Sequence, residues 1–256
     1  MCARPSWLKM SLAGLMSITV VAAMSVSARA SEVKVAVAAN FTDAVKQIGA
    51  LFEKASGHKA VFSFGPTGGL YNQITQAAPF EVFLAADQAT PAKAIKEGHA
   101  IEGTAFTYAT GKLVLFSKTD GLTLGEATLK DGKFTKIAIA NPKTAPYGAA
   151  AVEVMEKLGV YAALKGKIVQ GNSVAQTYQF VDTANAEVGF VAFAQVALKP
   201  GGSRWVVPAN MHKTIAQDAV LLKTGANNEA ANAFVAFLKG PDARKVIEKY
   251  GYGFVD

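Results

Sequence analysis

Cysteine is almost missing from this chain of 256 residues. The single Cys2 lies in a leader segment expected to be removed, which leaves no disulfide and no thiol chemistry. Histidine is scarce too: His58, His99 and His212 fall in predicted loops or helix ends among polar neighbours, where a solvated ring is the expected role. Catalytic signatures are absent as well. There is no Gly-x-Ser-x-Gly elbow, no Walker phosphate loop, no Gly-x-Gly-x-x-Gly turn and no His-Glu-x-x-His metal motif. Basic and aromatic residues do not cluster as a nucleic-acid surface requires. No internal repeat or low-complexity segment interrupts the pattern.

The leader is legible in its own right. Arg4 and Lys9 make a basic start, Met10 to Val26 is mostly apolar, and Ala28-Arg29-Ala30 is a small-x-small site, so residues 1–30 read as a secretory signal peptide with the mature chain beginning at about Ser31. A retained membrane anchor is the competing reading, but Ser, Gly and Thr interrupt a stretch shorter than the roughly 20 residues of a bilayer span. Cys2 precedes the apolar region, the wrong side for lipid attachment. Losing Arg4, Lys9 and Arg29 with no acidic residue takes the formal charge from +7 to +4, a mild excess of scattered lysines that serves solubility. An exported chain without disulfides depends on its core alone, which this length permits, and the combination suits a bacterial periplasmic protein.

Strand and helix signals alternate along the mature chain, the mark of an α/β protein with mostly parallel sheets. An apolar strand at Val33 to Ala39 runs through Asn40 into a helix carrying Phe41, Ala44, Val45, Ile48, Leu51 and Phe52, with Gly57 as its stop. A second strand, Lys59 to Phe64, meets the turn Gly65-Pro66-Thr67-Gly68-Gly69 before a helix from Leu70. Thr90-Pro91 reads as a cap followed by Pro at the first helical position. After Gly111 the series restarts, with helices expected after the turns Asn141 to Tyr147 and Gly171-Asn172-Ser173. We expect two lobes: residues 31–110 with 218–256, and residues 111–217. Two crossings between them leave a cleft, where ligands of open sheets bind.

Four helix starts, two per lobe, are the candidate binding groups: Asn40, Thr67, Tyr147 and Val174. Each start leaves backbone N–H groups without intrahelical partners and adds the positive end of the helix dipole, so starts aimed at one point make an anion site. Taken singly, each has a plainer role: Asn40 as an N-cap, Thr67 in a tight turn, Tyr147 and Val174 in packing. The turns hold no Lys or Arg, so an anion there is bound by neutral dipoles; they hold no carboxylate, so nothing accepts a proton from a protonated phosphate. Leaving that proton unpaired costs about 1 to 3 kcal/mol. Sulfate, molybdate and tungstate all fit, and a secreted α/β hydrolase with an unrecognised site is the alternative of another class.

The residues also carry a family likeness. Ala38-Ala39-Asn40-Phe41-Thr42, Phe64 to Ile74, Ala78 to Asp87, Asn141-Pro142 to Tyr147-Gly148, Asn172-Ser173-Val174, Gly189-Phe190-Val191, Leu238-Lys239-Gly240-Pro241 and Tyr250-Gly251 together resemble the periplasmic molybdate-binding proteins of ABC importers, over essentially the whole mature chain. The resemblance implies a two-lobed periplasmic-binding-protein fold. It also implies a non-enzymatic monomer without cofactor that binds molybdate or tungstate and delivers it to a membrane permease. Its ligand positions match Asn40 with Ala39 beside it, Thr67, Tyr147 and Val174, all through oxygen with no direct bond to the metal. Many members place a Tyr where this chain has Ala192, and Tyr147 stands where they have a small residue, so its hydroxyl is the expected replacement donor.

Overall fold

The computed structural model describes residues 1–3 and 31–255. The expected leader lies almost wholly outside the described residues, among which no helix is long and apolar enough to cross a membrane. In chain order the elements begin β1 (Glu32–Ala38), α1 (Thr42–Ser56), β2 (Lys59–Gly65), α2 (Thr67–Thr75), β3 (Val82–Leu84), α3 (Ala89–Lys96) and β4 (Phe106–Gly111). Lys112 alone separates β4 from β5 (Leu113–Ser117), after which come α4 (Glu126–Asp131), β6 (Ile137–Ala140), α5 (Pro146–Lys157), α6 (Tyr161–Leu164), β7 (Ile168–Gly171), α7 (Val174–Asp182), β8 (Val188–Ala192), α8 (Phe193–Val196) and β9 (Ser203–Val206). The chain closes with β10 (Ile215–Leu221), α9 (Glu229–Leu238) and α10 (Pro241–Lys249).

Two sheets of five strands share one plan, β2-β1-β3-β10-β4 and β7-β6-β8-β5-β9. In each, four strands run one way and one, β10 or β5, runs against its two neighbours. Those two strands directly follow the crossings, so each enters its sheet from the other lobe. Gly111 and Ile215 to Gln217, which the sequence reading gave to the second lobe, pair with one another's strands in the first sheet.

Both faces of the first sheet are covered. Val33, Val35 and Val37 pack with Phe41, Ile48 and Phe52 and with Phe234 and Ile247 of the C-terminal helices, while Ala36 and Phe83 face Leu70, Tyr71 and Ile74. The Phe52 and Phe234 rings meet edge to face at 5.3 Å. Helix α1 buries the stripe Ala44, Val45, Ile48 and Phe52 and ends at Gly57, whose φ of +73° is the left-handed turn that glycine takes without strain. In the second sheet one face packs on α5 through Ala151, Val154 and Met155, the other on α7 through Val181.

The expected local chemistry differs at three helix starts. Asn40 is not an N-cap: it sits in a single 3-10 turn, Ala39–Phe41, and α1 begins two residues later. Helix α2 begins at Thr67, so Gly68 and Gly69 are helical. Helix α3 is anchored by Asp87, whose carboxylate accepts from the Thr90 N–H at 2.7 Å; Thr90 is therefore the capped residue and not the cap.

Candidate functional site

The parallel strands β1, β2, β6 and β7 point their carboxyl ends into the gap between the sheets, and each leads into a helix start. Ala39 and Asn40 follow β1, Thr67 follows β2, Tyr147 lies in the first turn of the helix after β6, and Val174 opens the helix after β7. All five are buried and all five line one small cavity, together with Ala38, Gly65, Pro66, Ala86, Ala145 and Pro146. The centre of a water-sized particle has about 10 Å³ of free space there. That is about the space of one water molecule, far below the 300 to 1,000 Å³ of sites for organic ligands.

The cavity wall carries no charged side chain. Among the described residues the N–H groups of Asn40, Thr67, Tyr147 and Val174 take part in no hydrogen bond, as expected for the first turns of helices. The wall is thus a set of donors with the positive ends of α2, α5 and α7 behind them. Thr67 adds a hydroxyl: its Oγ1 accepts from the Ala86 N–H at 3.0 Å, which leaves its own proton to donate.

The Asn40 side chain does something the sequence reading did not foresee. Its two Nδ2 protons go to Gln217 Oε1 at 2.7 Å and to the Tyr252 hydroxyl at 3.1 Å, so the carboxamide has no proton left for a ligand. Asn40 offers the cavity its backbone N–H instead. The Tyr252 hydroxyl donates in turn to the Asn40 carbonyl at 2.8 Å. Gln217 is fully buried and its Nε2 faces the Tyr147 hydroxyl at 3.4 Å, across the gap between the lobes. The only hint of this residue in the sequence is a lone amide inside the apolar strand Ile215 to Leu221.

Burial pushes the Tyr147, Tyr108 and Tyr252 hydroxyls upward in pKa, so all three keep their protons at physiological pH. Ala192 is fully buried in the same apolar cluster as Tyr147 and does not line the cavity.

Further contacts join the lobes around the cavity. On one side the Gly68 N–H donates to the Thr144 carbonyl at 2.9 Å. On the other Tyr147 reaches over Gly111, where any Cβ would collide with its hydroxyl. Beside the cavity lies a wider cleft of about 360 Å³, sharing Ala86, Ala145 and Pro146 but edged by Asp87, Lys143, Glu153 and Lys213. It adjoins the buried cavity through those three shared residues.

The family model for bacterial extracellular solute-binding proteins matches residues 33–253. This chain belongs to that family. Its members are binding proteins, not enzymes, which removes the hydrolase alternative. The chain is 53% identical over 240 residues to the molybdate-binding protein ModA of Rhodobacter capsulatus, covering 94% of this chain and 95% of that one. Identity to the ModA of Azotobacter vinelandii is 56% over 234 residues, covering 90% and 93%. Among solved structures, the periplasmic molybdate-binding protein of Azotobacter vinelandii superimposes with a TM-score of 0.84 at 40% identity, over 88% of this chain and all of that one. The two-lobed α/β fold is therefore that of the solute-binding proteins.

Proposed function

We propose that this protein captures molybdate, and tungstate with it, in the periplasm and delivers it to the membrane permease of an ABC importer. The observation that carries the reading is the uncharged cavity in which Ala39, Asn40, Thr67, Tyr147 and Val174 meet. Backbone N–H groups of the four helix starts and the Thr67 and Tyr147 hydroxyl protons are its donors. The relatives named as molybdate-binding proteins support the choice among oxyanions.

A proton-free tetrahedral dianion accepts from every one of these donors and brings no proton that needs an acceptor. The anion's oxygens meet the protein, and the metal at its centre makes no bond to a side chain. Donors from both lobes act together only when the lobes are closed, so the ligand binds the closed form more tightly and shifts the population toward it. The closed form is then the signal for the permease. In this reading the leader is cleaved after about Ala30 and the released chain is a monomer.

Isothermal titration of the ligand-free mature protein with molybdate, tungstate, sulfate and phosphate tests it. One-to-one binding of molybdate and tungstate with none of phosphate is the expected result. Sulfate binding at equal strength would replace the molybdate assignment with a general dianion site. Silence with all four would overturn the oxyanion reading.

A further inference from the structure

Among the described residues, Gln217 is the one whose side chain hydrogen-bonds to candidate binding residues of both lobes, and the direction of its contacts is fixed by the backbone. A backbone carbonyl oxygen can only accept. Tyr252 gives its single proton to the Asn40 carbonyl, so its oxygen must receive from the Asn40 side chain, and Nδ2 of Asn40 must face it. The other Nδ2 proton then requires an acceptor, which places Oε1 of Gln217 toward Asn40 at 2.7 Å. Nε2 of Gln217 is thereby turned to the Tyr147 hydroxyl. The Tyr108 hydroxyl has a single proton to share between this Oε1 at 3.1 Å and the Ala85 carbonyl at 3.0 Å, so the orientation rests on the Tyr252 and Asn40 contacts.

The Tyr147 oxygen therefore receives a proton from the protein, and among the described residues its own proton has no acceptor. We propose that Gln217 is a positioning residue for the anion site: it holds the Tyr147 hydroxyl as a one-way donor toward the ligand and so selects an oxyanion that carries no proton. This rests on the oxyanion reading above. Thr67 is engaged in the same way by the Ala86 N–H, which leaves its own proton for the cavity. A hydroxyl that could turn would accept from a protonated phosphate as readily as it donates to molybdate. Fixing its polarity removes that option without placing any charge in the site.

The test is a double-mutant cycle read by titration with molybdate and, at mildly acidic pH where phosphate keeps at least one proton, with inorganic phosphate. Gln217→Met and Tyr147→Phe are each expected to weaken molybdate about tenfold, the usual scale for losing one hydrogen bond to a charged group. The double variant should bind no more than about twofold worse than Tyr147→Phe alone, because Gln217 acts through that hydroxyl. Gln217→Met should also narrow the preference for molybdate over phosphate, which a loss of packing alone does not do. Where Gln217→Met fails to fold, Gln217→Asn keeps an amide in place but withdraws it from Tyr147, and completes the same cycle. Equal weakening by the Gln217 change with and without the Tyr147 hydroxyl, or wild-type affinity in Tyr147→Phe, would overturn the proposal while leaving the oxyanion reading intact. A wild-type protein that binds no oxyanion at all would overturn both.

Discussion

Thr67 shows how much one side chain decides at this site. Its hydroxyl closes the Ala86 N–H and offers its proton to the cavity, so Thr67→Val, equal in shape, removes a donor and orphans a buried N–H. Molybdate affinity should fall by about tenfold to a hundredfold in titration, and Thr67→Ser should restore most of it. Asp87, at the edge of the wider cleft, carries a different consequence. Burial holds its carboxyl above the ordinary aspartate range, the two hydrogen bonds from Thr90 pull it down, and Asp218 pushes it up again. A carboxyl whose folded pKa is raised favours folding while protonated, and that contribution is lost as pH rises from the unfolded value through the folded one. Asp87→Asn keeps the cap to the Thr90 N–H but cannot ionise. Its melting temperature should therefore gain on wild type as pH rises from about 3 to 6, in thermal scans at a series of pH values.

Helix starts are the elements on which the site is built, and Gly68 of α2 separates their two duties. In an isolated helix Gly→Ala gains about 0.5 to 1 kcal/mol. Here a Cβ would lie 3.2 Å from Cα of Thr144 and 3.4 Å from its carbonyl, pressing on the contact that joins the lobes. Gly68→Ala should leave the ligand-free protein as stable as wild type or more so, yet weaken molybdate severalfold. Calorimetry and a melting curve on the same sample would reveal the split. These starts were legible in the sequence because the signals are local: an apolar run, a small polar turn, then apolar residues at helical spacing. Their fine detail was not, since whether Asn40 caps a helix or Thr67 begins one depends on what the side chain meets across the sheet.

At the scale of the whole molecule, two lobes closing on a dianion predict a stabilisation set by mass action. Molybdate at a thousand times its dissociation constant should add about 4 kcal/mol to the unfolding free energy, and the same concentration of phosphate should add none. Differential scanning calorimetry across a ligand series measures it. The Thr67→Ala variant is expected to lose part of that shift; a full shift in it would remove the Thr67 hydroxyl from the site.

The sequence by itself determined the alternation of strands and helices, the positions of the helix starts and the neutral chemistry of the turns, because each is written within a few neighbouring residues. Only the tertiary structure decided that β10 slides between β3 and β4 and carries a buried amide into the space between the lobes. Gln217 stands 177 residues from Asn40 and 70 from Tyr147 along the chain. A contact of that separation leaves no periodicity to read, and the polarity it imposes exists only once a backbone carbonyl, three side chains and two lobes are in place together.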